Sequence, residues 1–212
     1  MEIRVNPTRM ELNRLKQRLA MAVRGHKLLK DKRDELMRQF MILVRRNKEL
    51  REEVEERLAR SFQKFMIARA VMSAEAVEEA IMFPQVQLEI ELGTQNIMSV
   101  HTPKLKWKQV GETSASIYPY GFAETSGELD DSISTLSELL PRLLELAEVE
   151  KAVNLLADEI ERTRRRVNAL EYVMIPELQR TVRYITMKLD ENERANLTRL
   201  MKVKDIVQAK GI

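Results

Sequence analysis

Four arginines, Arg162, Arg164, Arg165 and Arg166, fall within five residues of the stretch "RTRRRVNALEYVMIP". Guanidinium clusters of this kind are the raw material of a phosphate grip, so the first question is whether this one binds nucleic acid. Other residue types capable of chemistry are few. The chain has two histidines, His26 and His101, and no cysteine. His101 has no acidic or histidine neighbour at metal-ligand spacing, and no Gly-rich phosphate loop is present. Glu52, Glu53, Glu55 and Glu56 form a run on one helical stretch, the pattern of a solvated face. Catalysis by this chain alone, a metal site and a cofactor are therefore not expected.

The elements that carry these residues are long helices. Of 212 residues, 33% are charged and 5% aromatic, with six glycines and six prolines, a composition suited to extended helices. Asn6-Pro7-Thr8 offers two helix starts: Asn6 as cap with Pro7 at the first helical position, or Thr8 in a capping box with Glu11. Beyond it Leu12, Leu19, Phe40 and Val54 take a positions of a heptad, and Leu15, Ala22, Leu29, Leu36, Leu43 and Leu50 take the d positions. His26, Arg33 and Asn47 occupy the remaining a positions and read as setters of coil register. The phase then drifts through Leu58, Phe62, Phe65 and Met72, with no breaker before Pro84. A helix over residues 8–82 would be about 110 Å long at 1.5 Å per residue, and its leucine seam requires a partner helix.

The C-terminal part supplies one. A short helix is expected near residues 128–140, and Pro141 suits the first turn of a second long helix. Its seam runs Val153, Leu156, Ile160, Thr163, Val167, Leu170 and Met174, then resumes after Pro176 as Leu178, Val182, Ile185 and Leu189. That resumption predicts a bend at Pro176, not an end. Between the helices, "VQLEIEL" alternates apolar Val86, Leu88, Ile90 and Leu92 with polar residues, as a half-buried strand does. Gly93-Thr94 and "QNIMSVHT" follow, which suggests a hairpin, and residues 111–127 are loop-like. The expected fold class is mainly α: a long antiparallel two-helix coiled coil with a small strand, loop and short-helix region between the helices. It divides into an N-terminal helix (1–83), a middle region (84–140) and a C-terminal helix (141–212).

Charge is uneven along this frame. Residues 1–48 hold 14 Lys/Arg against 5 Asp/Glu, while residues 49–83 hold 5 against 8 and residues 126–175 hold 6 against 11. The basic balance returns in residues 176–212, with 8 against 5. With Ile160 and Val167 at a, the four arginines fall at c, e, f and g, outside the seam. Asp158 and Glu161 precede Arg162 and Arg165 by four residues, the favourable order for ion pairs. Pairing the helix ends near Met82 and Pro141 would put Arg164 and Arg166 opposite residues 57–59, beside the acidic "ELREEVEERL". A nucleic-acid surface calls for a larger unbalanced patch with stacking aromatics, and this region offers only Tyr172. The N-terminus lacks the apolar core of a signal peptide, and the apolar run "FMILV" is too short to span a bilayer. No direct membrane insertion is expected.

The stretches "NPTRMELNRLKQRL", "RGHKLLKDKRDELMRQF", "LLPRLLELAEVEKAVNLLADEIERTRRRVNALEY" and "KLDENERANLTRLMKVK" resemble the D subunit of V-type and A-type rotary ATPases. The resemblance covers both helices in order and is weakest over residues 84–125. It implies a non-catalytic rotor axle, cytoplasmic and peripheral to the membrane. The axle sits in a hexameric head of alternating catalytic and non-catalytic nucleotide-binding subunits. It binds the F subunit of the central stalk and rests on a socket subunit attached to the membrane ring. It couples ATP hydrolysis or synthesis to ion transport, hydrogen ions included. On that basis Arg4, Arg9, Arg14, Lys16 and Arg18, with Arg194, Arg199, Lys202 and Lys204, are expected to steer and centre the axle in an acidic sleeve. The F subunit is expected on the acidic half of the coil, with Arg164 and Arg166 as candidate contacts. Two other readings are a prefoldin-like coiled-coil chaperone, whose chains are much shorter and lack "RRRVNALEY", and a basic coiled-coil nucleic-acid binder.

Overall fold

A computed structural model describes residues 6–83, 87–110, 117–121 and 125–209. Helix α1 spans Arg9–Val71 and a short α2 spans Ala74–Ile81. Strands β1 (Gln87–Ile97) and β2 (Val100–Val110) form an antiparallel hairpin. Helix α3 (Gly127–Asn168) leads through a π-helical segment, Ala169–Met174, into α4 (Ile175–Ala209). The fold is mainly α, with long helices packed antiparallel and a two-stranded hairpin and short helix between them. It comprises two compact units, Met1–Glu35 with Glu161–Ile212, and Leu36–Ile160.

In the first unit, Thr8 caps α1: its hydroxyl accepts the Glu11 amide at 3.3 Å, so of the two expected starts the chain takes the second. Leu15, Leu178 and Ile185 are buried together, with Leu12, Leu19, Ala22, Val182 and Leu189 around them. These are the a and d residues of α1 meeting the seam predicted for the second helix. The helix does not end at Pro176, as expected from the resumption of the seam. Pro176 is the second residue of α4 and helix continues on both sides of it, with the π-helical segment immediately before it. Proline has no N–H and crowds the carbonyl four residues earlier; the wider π turn relaxes that crowding without ending the helix. Met174, counted in the seam, is exposed on this wider turn.

The second unit has two apolar centres. Leu36, Val100, Leu156 and Ile160 form one, with Phe40, Leu43, Ile97 and Leu155 packed against it, so the tip of the hairpin lies on the α1–α3 seam. Ala68, Ala80 and Leu129 form the other, bordered by Phe65, Met72, Tyr120 and Ile133. Between them Ser61 and Ser132 are fully buried. Ser61 Oγ donates to the Ser132 carbonyl and Ser132 Oγ to the Ser61 carbonyl, both at 3.1 Å. Small side chains let the two backbones approach, and each hydroxyl finds its acceptor on the facing helix.

Several element boundaries differ from those read in the sequence. The unbroken helix expected over residues 8–82 ends at Val71, where Ser73 turns extended and its hydroxyl caps α2 by accepting the Ala76 amide at 3.2 Å. The break lets α2 bury Val77 and Ala80. Pro141 does not open a helix: it lies inside α3, which begins at Gly127. Between Val54 and Ser73 the buried or half-buried uncharged positions are Leu58, Ser61, Phe65, Ala68 and Met72, and Phe62 is exposed. Gly93 is not at the turn. It sits in β1 opposite Lys104, where an added Cβ would lie 3.3 Å from the Lys104 carbonyl oxygen. The turn is Met98-Ser99, with φ of 51° and 72°, closed by Asn96 Oδ1 accepting the Ser99 amide at 2.9 Å. Val86 lies outside the described residues, as does any break at Pro84 itself.

Candidate functional site

Among the described residues no group of three or more His, Cys, Asp or Glu side chains is placed to hold a metal. Among them, too, no helix is long and apolar enough to cross a membrane. An open groove of about 310 Å³ lies between β2 and α3, lined by Leu105, Trp107, Pro141, Arg142, Leu144, Glu145 and Glu148. Its polar groups are engaged within the fold. Glu148 Oε2 accepts the Leu105 amide at 3.0 Å, and Arg142 is held by Glu145 at 3.0 Å. Interest therefore falls on surfaces.

The acidic stretch of α1 and its neighbours are matched inside the second unit. Arg46 pairs with Glu145 at 2.6 Å and Arg51 with Glu150 at 2.7 Å, both across helices. Glu53 takes Arg57 at 2.9 Å and Arg142 at 3.8 Å, and Glu56 takes Arg60. The hydrogen bond from Arg46, aided by Arg142, holds the Glu145 carboxyl below the usual glutamate range against the opposing effect of burial. Tyr120 Oη donates to Asp130 Oδ1 at 2.7 Å; burial first, then this carboxylate, pushes the phenol well up.

This register overturns one expectation. Residues 46–64 of α1 face residues 131–150, as Lys64–Asp131 at 2.8 Å and Arg46–Glu145 show. Arg164 and Arg166 therefore do not lie beside "ELREEVEERL". The expected pairing fails because α3 begins at Gly127 and not at Pro141, which shifts every partner. Both arginines are exposed in the first unit, and neither has an acidic partner within 4 Å among the described residues. Of the two pairs expected along the run, Arg165–Glu161 is present; among the described residues Arg162–Asp158 is not.

Of the basic residues near the chain ends, Arg4 lies outside the described residues. Arg9 pairs with Glu193, and Arg14 lies 3.4 Å from Glu11. Lys16, Arg18, Arg194, Arg199, Lys202 and Lys204 are all exposed in the first unit. Beside the last four is a feature that charge counting misses. Every residue from 191 to 208 is exposed, and among them Leu197, Leu200, Met201, Val203, Ile206 and Val207 are 47% to 65% accessible. Their spacing continues a helical apolar pattern beyond Leu189, a signal readable in the sequence. In the second unit Phe62, Met66, Val71, Met82 and Phe83 form another set of exposed apolar side chains.

The three polar seam residues behave differently from one another. His26 Nε2 is 3.4 Å from Glu171 Oε2 without hydrogen-bond geometry. Arg33 is half-buried at its a position and its guanidinium pairs with Asp34, 2.7 Å away. Asn47 is half-buried and its Oδ1 has no hydrogen-bond partner among the described residues.

A family model for the ATP synthase D subunit matches residues 11–205. The V-type ATP synthase D subunit of Acetivibrio thermocellus is 65% identical over 205 residues, covering 97% of this chain and 92% of that one. Those of Clostridium novyi and Thermoanaerobacter sp. X514 are each 59% identical, covering 97% of this chain and 96% and 97% of theirs. Matches of this length and identity leave no room for the prefoldin-like reading.

Proposed function

The chain belongs to the ATP synthase D-subunit family, the non-catalytic central-stalk subunit of a V-type ATP synthase complex, and from that premise we propose that it acts as the rotor axle. In this reading it couples ATP hydrolysis or synthesis, in a head of catalytic and non-catalytic nucleotide-binding subunits, to rotation of an ion-translocating membrane ring. The observation that carries the reading is the exposed end of α4. A helix with six large apolar side chains open to water, interleaved with Arg194, Arg199, Lys202 and Lys204, is stable in solution only at a cost that burial in a partner removes. The basic side chains then steer the helix toward an acidic sleeve, and the apolar ones hold it there.

The other partners follow from the same logic. The exposed apolar residues Phe62, Met66, Val71, Met82 and Phe83 are the proposed seat of the socket subunit. Arg164 and Arg166 are offered as contacts for the F subunit, because no acid among the described residues engages them. The acidic residues of α1 are poorer candidates than their number suggests, since Arg57, Arg60 and Arg142 already neutralise several.

Binding of the full chain to a reconstituted head, measured across salt concentrations, tests the assignment of the α4 end. Neutralising Arg194, Arg199, Lys202 and Lys204 to Gln should weaken binding and flatten its salt dependence. Changing Leu197, Leu200 and Met201 to Ser should weaken it at every salt concentration. Unchanged affinity in both variants would remove this helix from the bearing.

A further inference from the structure

One stretch of the first unit lacks the packing seen on either side of it in sequence. The apolar cluster of that unit ends at Ala22 on α1 and Leu178 on α4. Beyond it α1 carries His26 and Arg33 in the seam, with Gly25 next to His26, and His26 Nε2 lies 3.4 Å from Glu171 Oε2 of the π-helical segment Ala169–Met174. Gly25 is a poor helix former, and an added Cβ there would meet no neighbouring atom within 4 Å. His26 Nε2 and Thr163 Oγ1 are buried polar atoms without a hydrogen-bond partner among the described residues. None of the six π-helical residues is buried, and Tyr172, Val173 and Met174 are exposed. Leu29, Val167 and Leu170 supply some apolar contact, but two of these three are only half-buried.

Local opening is governed by buried apolar contact and satisfied polar groups, and both are reduced here. A π-helix is itself a less favourable backbone, retained in proteins mainly where a helix must deform. We infer that residues 25–33 with residues 163–174 form a compliant joint, which opens and twists locally while the packing of residues 12–22 on residues 178–189 stays closed. The opening is a property of the chain alone. Its use, absorbing twist between stepwise drive and load, rests on the rotor reading above.

Hydrogen–deuterium exchange of the full chain, read by mass spectrometry, tests the opening. Peptides covering residues 25–33 and 169–174 should exchange at least about tenfold faster than those covering 12–22 and 178–189. Equal protection in all four would overturn the inference. A variant carrying Gly25→Ala, His26→Leu and Thr163→Val should slow exchange in the joint about tenfold while leaving residues 178–189 unchanged. Exchange that stays fast there would show that these residues are not its cause. In the assembled complex, angular fluctuation of a bead fixed to the stalk should narrow in the same variant; an unchanged width would overturn the torsional use. Failure of the wild-type chain to assemble with a head would contradict the rotor reading instead, with the exchange contrast still standing.

Discussion

Replacing Ser61 by leucine separates this structure from a generic coiled coil. Ser61 occupies a seam position where heptad reasoning would place a large apolar side chain, so simple coil logic predicts that Ser61→Leu stabilises. Here Ser61 and Ser132 are fully buried, and each hydroxyl donates to the other residue's carbonyl at 3.1 Å. A leucine has no room without separating α1 from α3, an overpacking cost of about 1–3 kcal/mol. Separation would also strand the Ser132 hydroxyl, adding about 1–3 kcal/mol. Ser61→Ala removes one donor and leaves Ser132 bonded, so it should cost only about 0.5–1.5 kcal/mol. For a chain of this size each kcal/mol shifts Tm by about 2–4 °C. Thermal melts followed by helical circular dichroism should therefore rank wild type above Ser61→Ala above Ser61→Leu. A leucine variant that melts at or above the wild-type temperature would refute the close-approach argument.

Three further changes probe other parts of the fold. Ser99→Gly relieves a positive φ of 72° in the hairpin turn and should raise stability by about 1 kcal/mol, measured by urea unfolding; a loss would contradict the turn geometry. Leu156→Ala empties a fully buried position beneath the hairpin and should cost about 2–5 kcal/mol in the same assay. Glu145→Gln removes the charged acceptor of Arg46 and Arg142, a cost of up to about 1 kcal/mol at neutral pH because the site is partly solvated. The folded carboxyl titrates below its ordinary value of 4.5, so its contribution is complete above that pH and is lost as pH falls through the depressed value. The gap between wild type and variant should accordingly close under acid; a gap that widens would reverse the sign.

Much of this was legible in the sequence because a heptad seam is a repeated signal. From Leu12 to Val54 no seam residue is exposed, and even His26, Arg33 and Asn47 stay half-buried at their a positions. What escapes reading has local causes. At Ser61-Phe62 spacing selects the serine and hydrophobicity selects the phenylalanine, and spacing wins. The hairpin turn carries Met98-Ser99 where a two-residue turn with positive φ usually displays Asn-Gly, so Gly93 is the more conspicuous turn residue in the sequence. Pro141 looks like a first-turn proline because that is where helices tolerate one best; its interior position moves the register and with it the partners of Arg164 and Arg166. The exposed end of α4 stands out as charge, and counting charges passes over the apolar spacing that continues beyond Leu189 between the basic residues.

Rotation itself is the most direct measure of the central claim. The chain has no cysteine, so Thr94→Cys at an exposed position of β1 gives this chain a single thiol for attaching a bead. With the head immobilised and ATP supplied, the bead should turn in one direction in steps that track hydrolysis. Hydrolysis by an assembled complex in which the bead shows only unbiased fluctuation would contradict the assignment of this chain as the axle.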